Sequence, residues 1–277
     1  MTMRRLAIMI DGAFFLKRLK NVDPNVPWNE PSQVANLIFR HALRHTNQRI
    51  GTKNRTPIFC DFELYRIFFY DCPPIEKKMH LPISKRSIDF AKSDIAKFRL
   101  NLHKELLKKR KVALRLGHLI ETATWKLKFE AQTKLLRKEV TWEQLTDDDF
   151  SLDVIQKGID MRLGIDVASL AYKNAVDQII MIVGDSDFVP AAKLARREGI
   201  DVVIDPLGYG LHDHLYEHTD GVRDLSYKAK KQTPSEPEQF ADELPQNVDN
   251  GNQPNMQKSF WRRRNQRKGH RPHDSQK

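Results

Sequence analysis

The chain has few of the features that mark secreted and membrane proteins. Only two of its 277 residues are cysteines, Cys60 and Cys72, and they lack the spacing of a metal site. No apolar run approaches the roughly 20 residues that a membrane helix needs. The apolar run after Arg5 is also too short for a signal peptide. We therefore expect a reduced, cytoplasmic protein with no membrane segment.

A glycine-rich phosphate loop is missing as well. The turn Gly208-Tyr209-Gly210 is too short to cradle a phosphate. Asp205 follows the predicted strand 200–204, where dinucleotide-binding folds place an acidic residue that meets a ribose. Because the phosphate loop is absent, we predict no nucleotide cofactor.

Positive charge is abundant but unevenly distributed. The chain has a net charge of +11. Residues 77–139 hold 18 Lys and Arg against six Asp and Glu, and residues 228–277 hold 11 against six. The remainder of the chain is therefore acidic, with a net charge of −6. This distribution is expected of a protein that acts on a polyanion at a metal site.

Apolar runs of strand length alternate with helical periodicities along residues 1–227. This alternation predicts an α/β fold with a central, mainly parallel sheet and helices on both faces. Within this domain we predict a basic, largely helical insert at about 75–150, with a long helix at 88–110 and apolar positions at Ile95, Phe98, Leu102 and Leu106. We predict a polar loop at 51–57.

The last part of the chain differs in composition. Residues 228–277 have no apolar periodicity and are rich in Pro, Gln, Asn and acidic residues. A segment of this kind cannot bury enough surface to fold alone, so we predict a disordered basic tail.

Two predicted buried strands end in aspartate. The run 6–10 leads into Asp11, and the run 179–183 leads into Asp185-Ser186-Asp187. Carboxyl ends of neighbouring parallel strands meet at one edge of a sheet, where ligands bind in open α/β folds. Clustered carboxylates repel each other and usually share a hard divalent cation. We also expect Ser186 or Asp187 to cap the helix that follows.

A third predicted strand, 62–70, leads into Asp71. This residue is either a third acidic group at the same edge or the cap of a turn before Pro73-Pro74.

Three motifs occur in a characteristic order: Ile10-Asp11-Gly12, then Lys157-Gly158-Ile159-Asp160 at the start of a helix, then Val183-Gly184-Asp185-Ser186-Asp187-Phe188. In this order they resemble the NYN domain of the PIN-like nuclease superfamily, and its LabA-like branch in particular. The resemblance covers most of residues 4–227 and is weakest in the predicted insert.

The resemblance implies a metal-dependent ribonuclease that uses Mg2+ or Mn2+. The residues that match the family's acidic positions, as metal ligands and catalytic groups, are Asp11, Asp160, Asp185 and Asp187. Two ions about 4 Å apart can activate a water and stabilise the leaving oxygen of a phosphodiester. Asp166 lies six residues after Asp160, so in a regular helix the two cannot face one site. We therefore expect Asp166 either to support the ligands from behind, as we expect of Ser186, or to be structural.

The motif departs from the family pattern at one position. The family frequently has the pattern Ile-Asp-Gly-x-Asn, and this chain has Phe14 at the position of the Asn. We expect Phe14 to pack under the site, and the absence of the polar group leaves a weak or altered nuclease as an alternative.

RNA is the predicted partner. The residues expected to hold its phosphates are Lys108, Lys109, Arg110, Lys111, Arg262, Arg263 and Arg264. The alternative is an RNA-binding module of the same fold with little or no turnover. A haloacid dehalogenase-type phosphatase is disfavoured because Ala13 stands where that class needs a second Asp. The sequence leaves a homo-oligomer possible.

Overall fold

The computed structural model describes residues 3–53, 56–119, 124–154, 156–211 and 213–227. The predicted tail at 228–277 and its Arg262 to Arg264 lie outside the described residues.

The described strands are β1 (Arg5–Asp11), β2 (Asn47–Lys53), β3 (Thr56–Asp61), β4 (Glu63–Asp71), β5 (Lys78–His80), β6 (Ser87–Asp89), β7 (Val112–Leu116), β8 (His118–Leu119), β9 (Thr124–Leu127), β10 (Phe150–Asp153), β11 (Gln156–Lys157), β12 (Gln178–Ile182), β13 (Asp201–Ile204) and β14 (Gly221–Val222). The described α-helices are α1 (Gly12–Lys17), α2 (Leu19–Val22), α3 (Pro31–Leu43), α4 (Asp94–Leu107), α5 (Phe129–Leu136), α6 (Ile159–Tyr172), α7 (Val189–Arg197) and α8 (Asp213–Tyr216).

Six of these strands form one parallel sheet in the order β14-β13-β12-β1-β4-β7. The two central strands, β1 and β12, are the continuous apolar runs of the sequence, and their interior residues are fully buried. Runs of this kind form where helices cover both faces of a sheet. The predicted α/β fold with a central parallel sheet is therefore confirmed, and it is consistent with a PIN-like architecture.

Each face of the sheet has its own apolar core. On one face, Leu163 and Val167 of α6 pack with Ala192 of α7. On the other face, Ile38 of α3 packs with Leu102 and its neighbours on α4. Alternating residues of β1 point to the two cores, as the two-residue period of a strand requires.

The predicted loop at 51–57 is wrong for the residues described there. β2 and β3 pair as an antiparallel hairpin, with Thr52 opposite Pro57. The polar composition of this segment favours a loop in a prediction from sequence. A two-stranded ribbon separate from the main sheet can nevertheless form from polar residues, because it needs few buried side chains.

The predicted helix at 88–110 is shorter than expected. Ser93 ends the preceding turn and caps α4 through a bond from the Ala96 amide, at 3.2 Å. Ile95 lies outside the core and is 76 % exposed, whereas Leu102 and Leu106 are buried. α4 and β7, although within the predicted insert, belong to the central fold.

The parallel sheet brings all its strand ends to two opposite edges. We call the edge that contains Asp11, Asp71 and Asp205 the carboxyl edge, and the edge where β7 and β12 begin the amino edge. Within the described ranges, every helix is too short or too polar to cross a membrane.

Candidate active site at the carboxyl edge of the sheet

The four aspartates predicted as metal ligands lie at the carboxyl edge and are electrostatically coupled, and we call them the aspartate cluster (Asp11, Asp160, Asp185 and Asp187). Asp11 ends β1, and Asp185 and Asp187 follow the neighbouring strand β12, whose Ile182 pairs with Ile10. Asp160 lies in the first turn of α6. The N-cap of this helix is Gly158, whose φ of +84° is readily adopted only without a Cβ.

Two members of the cluster are oriented by backbone amides. Asp11 caps α1, because its Oδ1 accepts a hydrogen bond from the Phe14 amide at 3.1 Å. Asp185 caps the 3-10 turn 186–188, because its Oδ1 accepts from the Asp187 amide at 3.2 Å. The prediction that Ser186 or Asp187 caps the following helix is therefore wrong. The capping side chain is Asp185, and it caps the 3-10 turn that precedes α7 rather than α7 itself.

The aspartates of the cluster repel one another. Burial raises the pKa of Asp160, and the charges of Asp187 and Asp185 raise it further. Burial also raises the pKa of Asp11; backbone hydrogen bonds from Phe14 and Ala13 oppose this, while the charges of Asp71 and Asp160 add to it. Electrostatic coupling therefore extends from Asp11 through Asp160 to Asp185 and Asp187.

No cation of the described chain relieves this repulsion. Among the described residues, no Lys, Arg or His nitrogen lies within 4.0 Å of a carboxylate of the cluster. A concentration of negative charge without an internal partner fits an external cation.

The donor set suits Mg2+ or Mn2+, which prefer carboxylate oxygens. Within the described ranges, no three of these carboxylates bring oxygens within 4.8 Å of one another. This spacing is compatible with Mg2+, because that ion usually keeps several waters and binds one or two protein carboxylates directly.

Asp71 also lies at the carboxyl edge, but it is neutralised by the chain. It is buried, and His103 Nε2 lies 2.8 Å from its Oδ2. Arg99 forms an ion pair with Oδ1. Burial alone would raise the pKa of Asp71, but the bonds from His103 and Arg99 outweigh it and hold the pKa below its usual value. The Asp71 carboxylate therefore binds two side chains of α4, Arg99 and His103, and does not cap a turn.

Asp205 is hydrogen-bonded within a second buried group. His41 Nε2 and His45 Nε2 lie 2.7 Å and 3.0 Å from its Oδ2, and its Oδ1 accepts from the Leu207 amide at 2.9 Å. Burial would raise the pKa of Asp205, but the two histidines lower it well below its usual range. Burial also lowers the pKa of His45.

These three side chains are the one His, Cys, Asp or Glu trio in the described ranges whose ligand atoms lie within 4.8 Å of one another. Hydrogen bonds account for their arrangement without an ion, since each Nε2 is at donor distance from an ionised carboxylate. A histidine that binds a metal through Nε2 usually donates its Nδ1–H to a neighbour. Nδ1 of both His41 and His45 is buried without a hydrogen-bond partner.

Asp166 lies on another face of α6 from Asp160, as its six-residue offset predicts. Its Oδ2 accepts from Tyr70 Oη at 3.0 Å and from Arg115 Nε at 2.8 Å. Burial and the Asp166 charge raise the pKa of Tyr70. This network joins α6 to β4 and β7, so Asp166 supports the helix that carries Asp160.

Phe14 packs beside the cluster, as predicted. A Cβ at Gly184 would lie 2.2 Å from the Phe14 ring, so the glycine is required for this approach. The aromatic ring occupies the space next to Asp185, where the family pattern has a polar side chain.

The predicted RNA-binding residues 108–111 are not near the cluster. They connect α4 to β7 and lie at the amino edge, about 16 Å away along a five-residue strand. Lys108 pairs with Glu105 at 2.6 Å, while Lys109 bonds Asn36 and Lys111 bonds the Leu64 carbonyl.

Sequence reasoning missed the partners of the buried aspartates, namely His41, His45, Arg99 and His103. A signal existed for the first pair, because histidines four residues apart in a helical segment share one face. No sequence pattern indicates that this face meets Asp205.

A comparison with protein families matches residues 88–206 to the NYN domain. The match covers less than half of the chain and extends from β6 to just beyond β13. Asp160, Asp185 and Asp187 lie within the matched range, whereas Asp11 precedes it. The match supports an NYN domain and, with it, a relation to the PIN-like nuclease superfamily.

The search of curated proteins found no match. Among solved structures, the chain is similar to a protein of unknown function from Vibrio parahaemolyticus. The two share 12% sequence identity, the alignment covers 80% of this chain and 93% of that one, and the TM-score is 0.36.

Proposed function

We propose that the protein is a metal-dependent ribonuclease that hydrolyses RNA phosphodiester bonds at the aspartate cluster, with Mg2+ or Mn2+ as cofactor. The observation that carries this proposal is the set of four mutually repelling carboxylates at the carboxyl edge, with no cation of the described chain to neutralise them. The NYN match over 88–206 supports a nuclease. Membership of the LabA-like branch rests on the order of the three motifs and is part of the proposal.

Asp11, Asp160, Asp185 and Asp187 would hold the cations. A divalent ion bound there supplies a lowered pKa for a water molecule and positive charge for the scissile phosphate and its leaving oxygen. Asp11 and Asp185 are pre-oriented by their backbone hydrogen bonds. The role of Asp166 is to position α6 through Tyr70 and Arg115, and the reaction needs no covalent intermediate.

The substrate is proposed to be RNA because the chain combines this acidic site with an excess of basic residues elsewhere. Contacts of Lys108 to Lys111 with phosphates stay a prediction, and they require RNA that extends from the carboxyl edge to the amino edge. Contacts of Arg262 to Arg264, a separate tail at 228–277 and a cytoplasmic location also stay predictions of the sequence.

An RNA-binding module without turnover is the second candidate. It is favoured by Phe14, whose ring fills the space beside Gly184 and offers no polar group to the cluster. In this case RNA would bind at the same edge, and cations would serve binding alone.

The test is cleavage of labelled single-stranded and structured RNA in Mn2+, Mg2+ or EDTA. We expect cleavage by the wild type in either ion and none in EDTA. Asp185→Asn should lower the cleavage rate by more than about 100-fold. Loss of a residue that only supports a metal ligand costs up to about 100-fold, and loss of a ligand itself should cost more. RNA binding should survive, because the substitution also reduces repulsion of phosphate.

Glu198→Gln is the matched control. Glu198 is an exposed acid that follows α7 at the amino edge, so the same loss of charge there should leave cleavage unchanged. Cation-independent cleavage, or equal rates for Asp185→Asn and the wild type, would refute the proposed nuclease site. Salt-sensitive RNA binding by both proteins without cleavage would favour the binding module.

A further inference from the structure

An aromatic group lies on one flank of the aspartate cluster. The ring of Phe14 meets the ring of Tyr209 edge to face, with centroids 6.2 Å apart. The guanidinium of Arg18 lies over Tyr209, 4.2 Å from the ring centroid. We call these three residues the aromatic flank.

The aromatic flank is fixed to two members of the cluster. The Phe14 amide donates to Asp11, and the Phe14 ring contacts Gly184, the residue before Asp185. A molecule that rests on Tyr209 therefore lies next to the carboxylates rather than on a separate surface.

The loop that carries Tyr209 is held in place from several sides. The Leu207 amide donates to buried Asp205, the Gly208 amide donates to Asp224 at 3.1 Å, and Asn21 donates to the Leu207 carbonyl at 3.0 Å. Leu207 and Gly208 have φ of +50° and +70°. A non-glycine residue in that region needs such support, so the loop geometry is set by its surroundings.

Tyr209 nevertheless stays 40 % exposed, although it has an aromatic neighbour and a cation at its ring. Nucleobases stack on exposed aromatic rings, and a guanidinium beside the ring adds attraction for the phosphate that accompanies the base. A base engaged in a duplex has both faces covered by its neighbours and cannot stack on a side chain without leaving the helix.

We propose that Tyr209, supported by Phe14 and Arg18, is a stacking subsite for one unpaired base of the RNA adjacent to the aspartate cluster. This inference rests on the proposed function and specifies its substrate class: RNA that is single-stranded at the site. Asp205 would then help to position Tyr209, because its carboxylate accepts from the Leu207 amide of the same loop and is held by His41 and His45.

The test combines base removal with a change at Tyr209. Binding of the full-length protein to a short single-stranded RNA is measured in EDTA, together with a series in which each base in turn is replaced by an abasic sugar. In the wild type, one abasic position should weaken binding about tenfold, the effect of losing one base–aromatic stack. Tyr209→Ala should weaken binding of the intact RNA by a similar factor.

Coupling of the two changes identifies the contact. Once Tyr209 is alanine, the sensitive abasic position should lose its effect, because both changes remove the same stack. Tyr209→Phe keeps the ring and should bind as the wild type. Tyr172→Ala, at an exposed tyrosine near the amino-edge end of α6, is the matched control and should not change binding.

The inference is overturned if no abasic position weakens wild-type binding, or if its effect persists unchanged in Tyr209→Ala. The abasic series on the wild type decides this even if Tyr209→Ala fails to fold. Binding without base dependence, together with metal-dependent cleavage, would remove the stacking subsite and leave the nuclease intact. Absence of both RNA binding and cleavage would remove both proposals.

Discussion

Asp11 and Asp185 lie at the same edge of the same sheet as Asp71 and Asp205, but their surroundings are opposite. Asp71 and Asp205 are buried, and each is bonded to two basic side chains from a helix or the turn that continues it. Asp11 and Asp185 bond only backbone amides among the described residues, and each is electrostatically coupled to Asp160. Position at a strand end therefore does not distinguish these aspartates; Asp11 and Asp185 differ because no basic side chain of the described residues binds them.

The same comparison separates structural stability from function. Removing a buried partner leaves an unpaired charge or donor, which costs several kcal/mol. Removing Asp160 or Asp187, exposed carboxylates without a hydrogen bond among the described residues, leaves nothing unpaired. The two sets should thus respond in opposite ways to substitution, to acid and to divalent cations.

The largest difference is expected from alanine substitution. Asp205→Ala leaves His41 and His45 buried without their acceptor, so it should lower the free energy of unfolding by about 3 kcal/mol or more. Asp187→Ala should change that free energy by no more than about 0.5 kcal/mol. Urea unfolding in EDTA at pH 7 measures both. Equal losses would mean that the two sets are not distinct.

A smaller difference is expected in the response to acid. The fold lowers the pKa of His45, so the unfolded chain takes up the proton first and stability falls as pH drops below about 6.5. The lowered pKa of Asp205 adds a further loss below about pH 4. Thermal unfolding from pH 8 to pH 4 should show a falling melting temperature.

His45→Gln should flatten this fall between pH 7 and pH 5, because glutamine does not titrate. Asp160→Asn should keep the fall or steepen it, since the raised pKa of Asp160 contributes in the opposite direction. A fall that is unchanged in His45→Gln would assign the acid sensitivity to other groups.

The smallest difference is expected from cation binding. In EDTA, Asp160→Asn should melt slightly above the wild type, because it removes repulsion with Asp185 and Asp187. Mg2+ at ten times its Kd should stabilise the wild type by about 1.4 kcal/mol. The variant should gain clearly less. Melting temperatures with and without Mg2+ measure both effects, and equal gains would show that the ion binds elsewhere.

Much of the fold could be predicted from the sequence, because its central strands are fully buried. The apolar runs of β1 and β12 and the periodicity of α6 are properties of the local sequence, and each element forms where predicted. The hairpin β2–β3 was not predictable in this way, since its polar residues pair outside the main sheet. The start of α4 was missed because the turn before it shares its polar and apolar composition.

The candidate site was predictable only in part. The order of the motifs indicated the four aspartates, and the parallel pairing of β1 with β12 brings three of them together. The basic residues 108–111 were predicted as partners of that site from charge alone. The fold places them at the other edge. They connect the end of α4 to the start of β7, and β7, like every strand of the parallel sheet, starts at the amino edge.

The sequence by itself determined that acidic side chains follow four buried or partly buried strands of one sheet, because short apolar runs and the residues after them are local features. Tertiary structure alone decided which of these aspartates have basic side chains as partners. Asp205 meets His41 across 164 residues of chain, and Asp71 meets His103 across 32. Such contacts depend on how α3 and α4 pack on the sheet, and that packing leaves the aspartate cluster without a cation of the described chain.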